Sequence, residues 1–257
     1  MKSSKWTKEQ TIVAFNLYCK IPFQKASSNN PDIIKIANII GRSPNSVKMK
    51  IGNFGSFDPE LKRKGIVGLA NASKLDKEVW DEFHNDWDRL AYESEKLIAK
   101  FMNKNIESTE YEELLKIPPG LSKEQLVKTR INQSFFRQSV LSAYNSTCCI
   151  TGIKIPQVLI ASHIIPWSNA DDKTEKTNPK NGLCLNSLHD KAFDKGLITI
   201  TPDFKIKVSQ KLFDIQKDDI SEKWFGNING NKIMLPDRFL PAKEYLEYHN
   251  TKIYENF

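Results

Sequence analysis

The chain has 257 residues, of which 39% are hydrophobic and 27% charged, enough for one large domain or two modest ones of ordinary globular composition. No apolar run approaches the ~20 residues of a membrane helix, and the start, MKSSKWTKEQ, has no apolar core of a secretory signal, so a cytoplasmic protein with no membrane partner is expected. The charge is uneven: residues 1–64 hold 12 Lys/Arg against 4 Asp/Glu, a net of +8, while the whole chain is +7, which leaves −1 for the remainder. A polyanion gripped by the first quarter of the chain is the expected partner.

In chain order, Thr7 with Gln10 forms a capping-box pattern ahead of a first helix with Ile12, Val13, Phe15, Leu17 and Tyr18 on its apolar face, ending before Pro22. Gln24 to Asn30 reads as a loop. Asn30-Pro31-Asp32 starts a second helix carrying Ile33, Ile34, Ile36, Ala37 and Ile40 and stopping at Gly41. Ser43-Pro44 starts a third, with Val47 and Ile51 inward, Asn45, Ser46, Lys48 and Lys50 outward, and a stop at Gly52. Two short helices around a Gly-containing turn, the second rich in Lys, Asn and Ser, predict a helix-turn-helix. Arg42, Asn45, Ser46, Lys48 and Lys50 are its expected DNA contacts, joined by Lys62, Arg63 and Lys64 at the start of a basic loop from Leu61 to Ser73. A small three-helix structural domain is the alternative.

Trp80, Phe83, Trp87, Leu90, Ser94, Leu97 and Phe101 recur at spacings of three and four, the seam of one long helix that packs on its own domain or on a second copy. Asn103 to Gly120 is polar and acidic and closes with Pro118-Pro119-Gly120, a domain junction. Ser122 with Gln125 then caps a helix running through Phe135, Phe136 and Arg137 to Tyr144. The expected division is a helical helix-turn-helix-like domain over 1–102, a linker over 103–121 and a second domain over 122–257. Cys19, Cys148, Cys149 and Cys184 include no C-x-x-C pair, so buried free thiols are expected and a structural zinc is not.

The chemistry gathers between Val158 and Asp194. An apolar strand, Val158-Leu159-Ile160-Ala161, leads to His163; Asn181-Gly182 turns into a second apolar run, Leu183-Cys184-Leu185; and His189 lies on a helical segment from Ser187 to Phe193. Around these stand RINQSFFRQSVLSAYNSTCCITG, LIASHIIPW, NGLCLNSLHDKAFDKGLITI, IMLP and EYLEYHN. This order resembles the HNH endonucleases, in particular the branch among predicted restriction endonucleases in which a CxITG turn precedes an ASHIxPW strand. The resemblance spans roughly Arg130 to His249 and implies an α+β chain ending in a ββα-metal nuclease domain. It implies cleavage of double-stranded DNA to 5′-phosphate and 3′-hydroxyl ends with one divalent ion, Mg²⁺ or Mn²⁺, and a role in restriction that senses base modification in some cases. One such site cuts one strand, so a double-strand break calls for a homodimer or two binding events.

Within this resemblance His163 is the general base, Asn181 holds its ring through a side-chain or backbone carbonyl, and His189 ligates the metal. Singly, each has a bland reading: a strand-end His is usually structural, and Asn-Gly is usually a turn. One departure stands out. Many HNH enzymes place an acid or His directly before the base, whereas this chain has Ser162, a poor ligand. Asp190 and Asp194 are substitutes, Asp194 being five residues from His189 and so less well aligned with it on a helix. Loose ligation of this kind implies weak metal affinity without DNA and a preference for Mn²⁺. Cys148, Ile150, Leu183, Leu185, Phe193 and Trp167 are expected in the core. A Ser162–His163 hydrolase pair is disfavoured because strand neighbours face opposite ways, and a Cys149–His163 thiol pair has no supporting motif. His84 is expected to be solvated, and His249 to be structural in a helix from Pro241 to Asn250. The rival function is a DNA-binding regulator with an inactive nuclease domain; a third is a nuclease acting on RNA.

Overall fold

The computed structural model describes residues 5–106, 122–215 and 219–254. The expected junction at Pro118-Pro119-Gly120 lies outside the described residues, as does most of the expected linker. No helix among the described residues is long and apolar enough to cross a membrane.

The first half is helical. α1 (Lys8–Lys20) starts from the Thr7–Gln10 capping box, whose reciprocal bonds satisfy two otherwise orphaned N–H groups. α2 (Pro31–Ile39) is capped by Asn30 and α3 (Pro44–Gly55) by Ser43, each with proline at its first position. Gly41 makes the turn between them at φ 67°, a conformation that costs glycine little. Gly52 does not end α3: the helix continues to Gly55, and Gly52 is where Leu69 crosses it, Leu69 donating its N–H to the Gly52 carbonyl at 3.0 Å. A Cβ on Gly52 would lie 2.8 Å from Leu69 Cδ1. The expected loop after Leu61 opens instead inside a short helix, α4 (Pro59–Arg63), capped by Asp58.

The aromatic seam is divided between α5 (Lys74–Phe83) and α6 (Trp87–Phe101). Asn85 takes φ 82°, a left-handed backbone that breaks the helix while keeping both halves in register with the core. Trp80, Phe83, Trp87, Leu90 and Ser94 are all buried there, with Leu97 and Phe101 packed against them, so the seam is covered by its own chain. Phe15 contacts Phe54, Trp80 and Trp87 with ring centroids 4.7, 5.2 and 6.4 Å apart, the spacing of tilted aromatic packing.

α7 (Lys123–Ala143), capped by Ser122 and Gln125, lies against α1 and α6 on one side and against a hairpin of β1 (Leu159–His163) and β2 (Gly182–Asn186) on the other. β1 and β2 are antiparallel, with Leu159 opposite Asn186 and His163 opposite Gly182. α8 (Ser187–Asp194) follows β2 directly, capped by Asn186, and packs on both strands. A second small pair, β3 (Ile198–Ile200) and β4 (Ile206–Val208), comes next. The chain then runs through α9 (Gln210–Ile215), α10 (Asp219–Trp224) and α11 (Lys243–Tyr248), the last shorter than the expected Pro241–Asn250 helix and continued by a wide turn through Tyr254. Arg238 is fully buried and ties this part to α1: it donates to the carbonyls of Tyr18 and, at 2.7 Å, Ile21, and to Ser142 Oγ on α7 at 2.7 Å. All four cysteines are buried and free, as expected. Of the expected core, Cys148, Leu183, Leu185 and Phe193 are buried and Ile150 packs against them, whereas Trp167 is only partly covered.

Gly182 matters for a reason other than its turn. Its φ is −129°, open to any residue, but a Cβ there would sit 2.3 Å from Val140 Cγ2 and 3.0 Å from the Phe136 ring. The glycine is what lets α7 lie close on the hairpin. Gly182→Ala is expected to destabilise the fold by about 1–3 kcal/mol through overpacking. Equilibrium denaturation checks this, and unchanged stability would mean that α7 moves away without cost.

Candidate active site

The loop between β1 and β2, residues 164–181, is closed at its neck by Asn181, which is completely buried. Its backbone carbonyl accepts from Ile164 N–H at 2.9 Å and its Oδ1 from Ile165 N–H at 2.8 Å. Its Nδ2 donates to the carbonyls of Ile165 and Glu175, both at 3.3 Å. Asn181 therefore does not hold the His163 ring, contrary to the sequence expectation. It staples the backbone immediately after His163, which fixes where β1 ends.

The ring itself is held from inside the loop. His163 Nε2 lies 3.0 Å from the Lys176 carbonyl. A carbonyl only accepts, so Nε2 carries the proton, and the lone pair of the neutral ring is on Nδ1. Phe136 of α7 stacks on the imidazole with centroids 3.7 Å apart, and Trp167 meets it edge-on at 5.4 Å. Burial pushes the His163 pKa down to about 4 from an ordinary 6.5, against a smaller lift from the Lys176 carbonyl. The ring is thus neutral at neutral pH and oriented, as a general base must be.

α8 shows a different arrangement from the one expected around His189. His189 is fully buried, with Nδ1 beside the Asn186 side chain and Nε2 3.1 Å from the Trp224 carbonyl. Both ring nitrogens have protein partners, so in this arrangement His189 ties α8 to its cap and to α10 rather than offering a lone pair to a metal. Asp190 and Asp194, four residues apart, share one helix face. Burial raises the pKa of Asp190, the Ser162 hydroxyl lowers it, and the negative charge of Asp194 raises it further. The Asp194 carboxyl is also raised, by burial, against Lys191 and Lys195. Ser162 Oγ is buried with no partner at hydrogen-bonding geometry, so the hydroxyl lies near Asp190 without being bonded to it.

Among the described residues no group of three His, Cys, Asp or Glu converges as a metal cage. Two carboxylates four residues apart on one helix, one of them beside an orphaned hydroxyl, fit a hard divalent cation, which prefers oxygen donors and completes its shell with water or phosphate. The pairing of Asp190 with Asp194 was visible in the HDKAFD spacing, but only when counted from Asp190 instead of His189.

Ser162 faces α8 while His163 faces α7, so no Ser–His hydrolase pair forms. Burial raises the Cys149 thiol well above its ordinary value, which removes it as a nucleophile. His84 is not solvated: it stacks on Trp80 at 4.4 Å, and burial takes its pKa down to about 4. His249 is structural as expected, between Thr199 Oγ1 at 2.8 Å and the Phe193 carbonyl at 3.1 Å.

All four histidines have their pKa lowered by burial, those of His84, His163 and His249 to about 4. The unfolded chain takes up these protons near pH 6.5, while the folded chain resists until much lower. Stability from this source is complete above about pH 6.5 and falls as the pH drops toward 4. Denaturation midpoints at pH 7 and pH 4.5 are expected to differ clearly; equal midpoints would contradict the burial of these rings.

The expected DNA-reading residues divide into two sets. Lys50 is not outward: it is buried, paired with Asp76 of α5 and lying 4.5 Å over the Trp6 ring. Arg42 is half-turned inward, with Nε and Nη2 at 3.1 and 2.7 Å from Gln10 Oε1. Asn45, Lys48, Lys62, Arg63 and Lys64 are exposed and Ser46 is partly so, although Lys64 also pairs with Asp237 at 2.8 Å.

A hairpin with an oriented neutral histidine at the end of its first strand, followed at once by a helix bearing Asp190 and Asp194 four residues apart, is a ββα arrangement. Residues 148–201 match the family model of the HNH endonucleases. Residues 148–201 are therefore similar to the HNH endonucleases, a family of nucleases that generally use a divalent metal ion. No curated protein matches the chain.

Proposed function

We propose that the protein is a metal-dependent restriction endonuclease that cuts double-stranded DNA. The observation that carries this reading is the His163 ring, neutral and locked by the Lys176 carbonyl so that Nδ1 is its basic nitrogen. His163 takes a proton from water at Nδ1 as the water oxygen bonds to phosphorus. The bond from phosphorus to the 3′ oxygen breaks, and that oxygen takes a proton from solvent water, leaving a 5′ phosphate and a 3′ hydroxyl. Asn181 acts as a positioning residue, keeping the strand end and the loop together so that the Lys176 carbonyl stays on the ring. Asp190, with the Ser162 hydroxyl beside it, and Asp194 would hold the cation in place of the His189 expected from sequence, and the cation would supply positive charge for the phosphate and the leaving oxygen. An all-oxygen set fits Mg²⁺ or Mn²⁺.

We assign DNA gripping to the first domain, over 1–102, and cutting to the domain over 122–257. The exposed Asn45 and Lys48, with Ser46, form the reading face of a helix-turn-helix, and Lys62 and Arg63 of α4 hold backbone phosphates beside it. Cleavage of unmodified and cytosine-modified plasmids side by side tests the restriction role. Cutting of one and not the other supports it, and equal degradation of both, or of structured RNA with duplex DNA untouched, contradicts it. The second reading, a DNA-binding regulator, is favoured by one feature only: Ser162 stands where a stronger ligand is usual.

A further inference from the structure

Beside His163 the structure has a shallow cavity of 280 Å³, lined by Gln133, Phe136, Arg137, Ala161, His163 and Trp167. One wall is β1, where Ala161 and His163 share a face because strand side chains alternate. The other is α7, where positions 133, 136 and 137 fall on one helix face. Phe136 has a clear task, since its ring supports the imidazole. Arg137 does not, and neither it nor Gln133 belongs to the His-Asn-His set.

Arg137 is exposed, and its Nη2 donates to the Leu159 carbonyl at the start of β1, at 3.0 Å. That bond uses one of the five N–H donors of a guanidinium and fixes the side chain's direction. Among the described residues no carboxylate pairs with it. The cavity therefore contains one permanent cation, one neutral imidazole, one amide and no acid. A brace for the Leu159 carbonyl needs only a neutral donor. A charge placed without a counter-ion next to a general base suits an anion that arrives with the substrate, and a planar fork suits two oxygens of one phosphate.

We infer that Arg137 is a catalytic residue that binds the non-bridging oxygens of the phosphodiester being cut, holding it beside His163 Nδ1. This rests on the nuclease reading and adds the group that orients the substrate on the α7 side. Arg137 also stabilises the charge that grows on those oxygens as water adds, so its effect is on the chemical step as well as on binding. Gln133, on the same face, supplies a neutral donor at the rim.

The test uses the full chain with Arg137→Ala, Arg137→Lys and Arg137→Gln. Single-turnover cleavage at saturating DNA is expected to fall about 10²-fold in Arg137→Ala, the size seen when one donor to a developing oxyanion is removed. Arg137→Lys should recover part of the loss because it keeps the charge, and Arg137→Gln should not. Thermal midpoints should stay close to wild type. DNA binding is measured in the uncut His163→Ala background across salt concentrations. Adding Arg137→Ala there should flatten the slope of log affinity against log salt by about one, for one lost phosphate contact. Cleavage by Arg137→Ala within twofold of wild type, or rescue by Gln as good as by Lys, would overturn the assignment and leave Arg137 as a strand brace. Should wild type itself fail to cut, the nuclease reading fails, while an unchanged salt slope would still independently refute the phosphate contact.

Discussion

His163→Ala is expected to lower DNA cleavage by roughly 10²–10⁴-fold, the usual worth of a positioned general base. The loss should fall on the single-turnover rate and not on DNA affinity, because the exposed basic residues of α3 and α4 lie on elements that His163 does not touch. The same change removes a ring stacked on Phe136 at 3.7 Å and bonded to the Lys176 carbonyl, so some stability is lost too. His163→Gln separates the two effects. It retains a donor for the carbonyl and much of the packing, but no group basic enough to take the proton, so it should be nearly as inactive while more stable. Activity in His163→Gln close to wild type would move the base elsewhere.

The second large effect concerns α8. Asp190→Asn and Asp194→Asn are each expected to reduce metal-dependent cleavage by about 10²-fold or more, since several kcal/mol of transition-state charge stabilisation depends on holding the cation. Their stability should go the opposite way. Burial raises both carboxyls above their ordinary 3.8, so their charged forms at neutral pH weigh against folding, and neutral amides relieve that cost. Metal-free midpoints should therefore hold or rise. His189→Asn should show the reverse pattern in stability, because it abandons the bond to the Trp224 carbonyl and leaves buried groups unpaired. Metal binding that survives both Asp changes and disappears in His189→Asn would restore the histidine as ligand.

How much of this was legible in the sequence differs by element. The first three helices could be read because their starts are local chemistry: Thr7, Asn30 and Ser43 cap N–H groups two or three residues away. The hairpin and α8 followed from two short apolar runs and the polar residues that end them. Other features depend on partners remote in the chain. Lys50 read as an outward DNA contact because its partner, Asp76, lies on a different helix. The seam read as one helix because burial periodicity continues across a break that only the backbone of Asn85 makes. The group that orients His163 is a main-chain carbonyl, and any residue at position 176 would supply one, so no side-chain pattern announces it. Asn181 is buried at the neck of the loop, but its side-chain and carbonyl bonds go to the loop backbone, which spacing alone does not distinguish from a bond to the ring.

The most direct measurement is nicking of supercoiled plasmid by the wild-type chain in Mg²⁺, Mn²⁺ and EDTA, with DNA binding measured in parallel. The account predicts cutting in at least one metal, stronger in Mn²⁺, none in EDTA, and products with 5′ phosphates. DNA bound but uncut in every metal would contradict it and leave a regulator in which Ser162 marks a disabled centre.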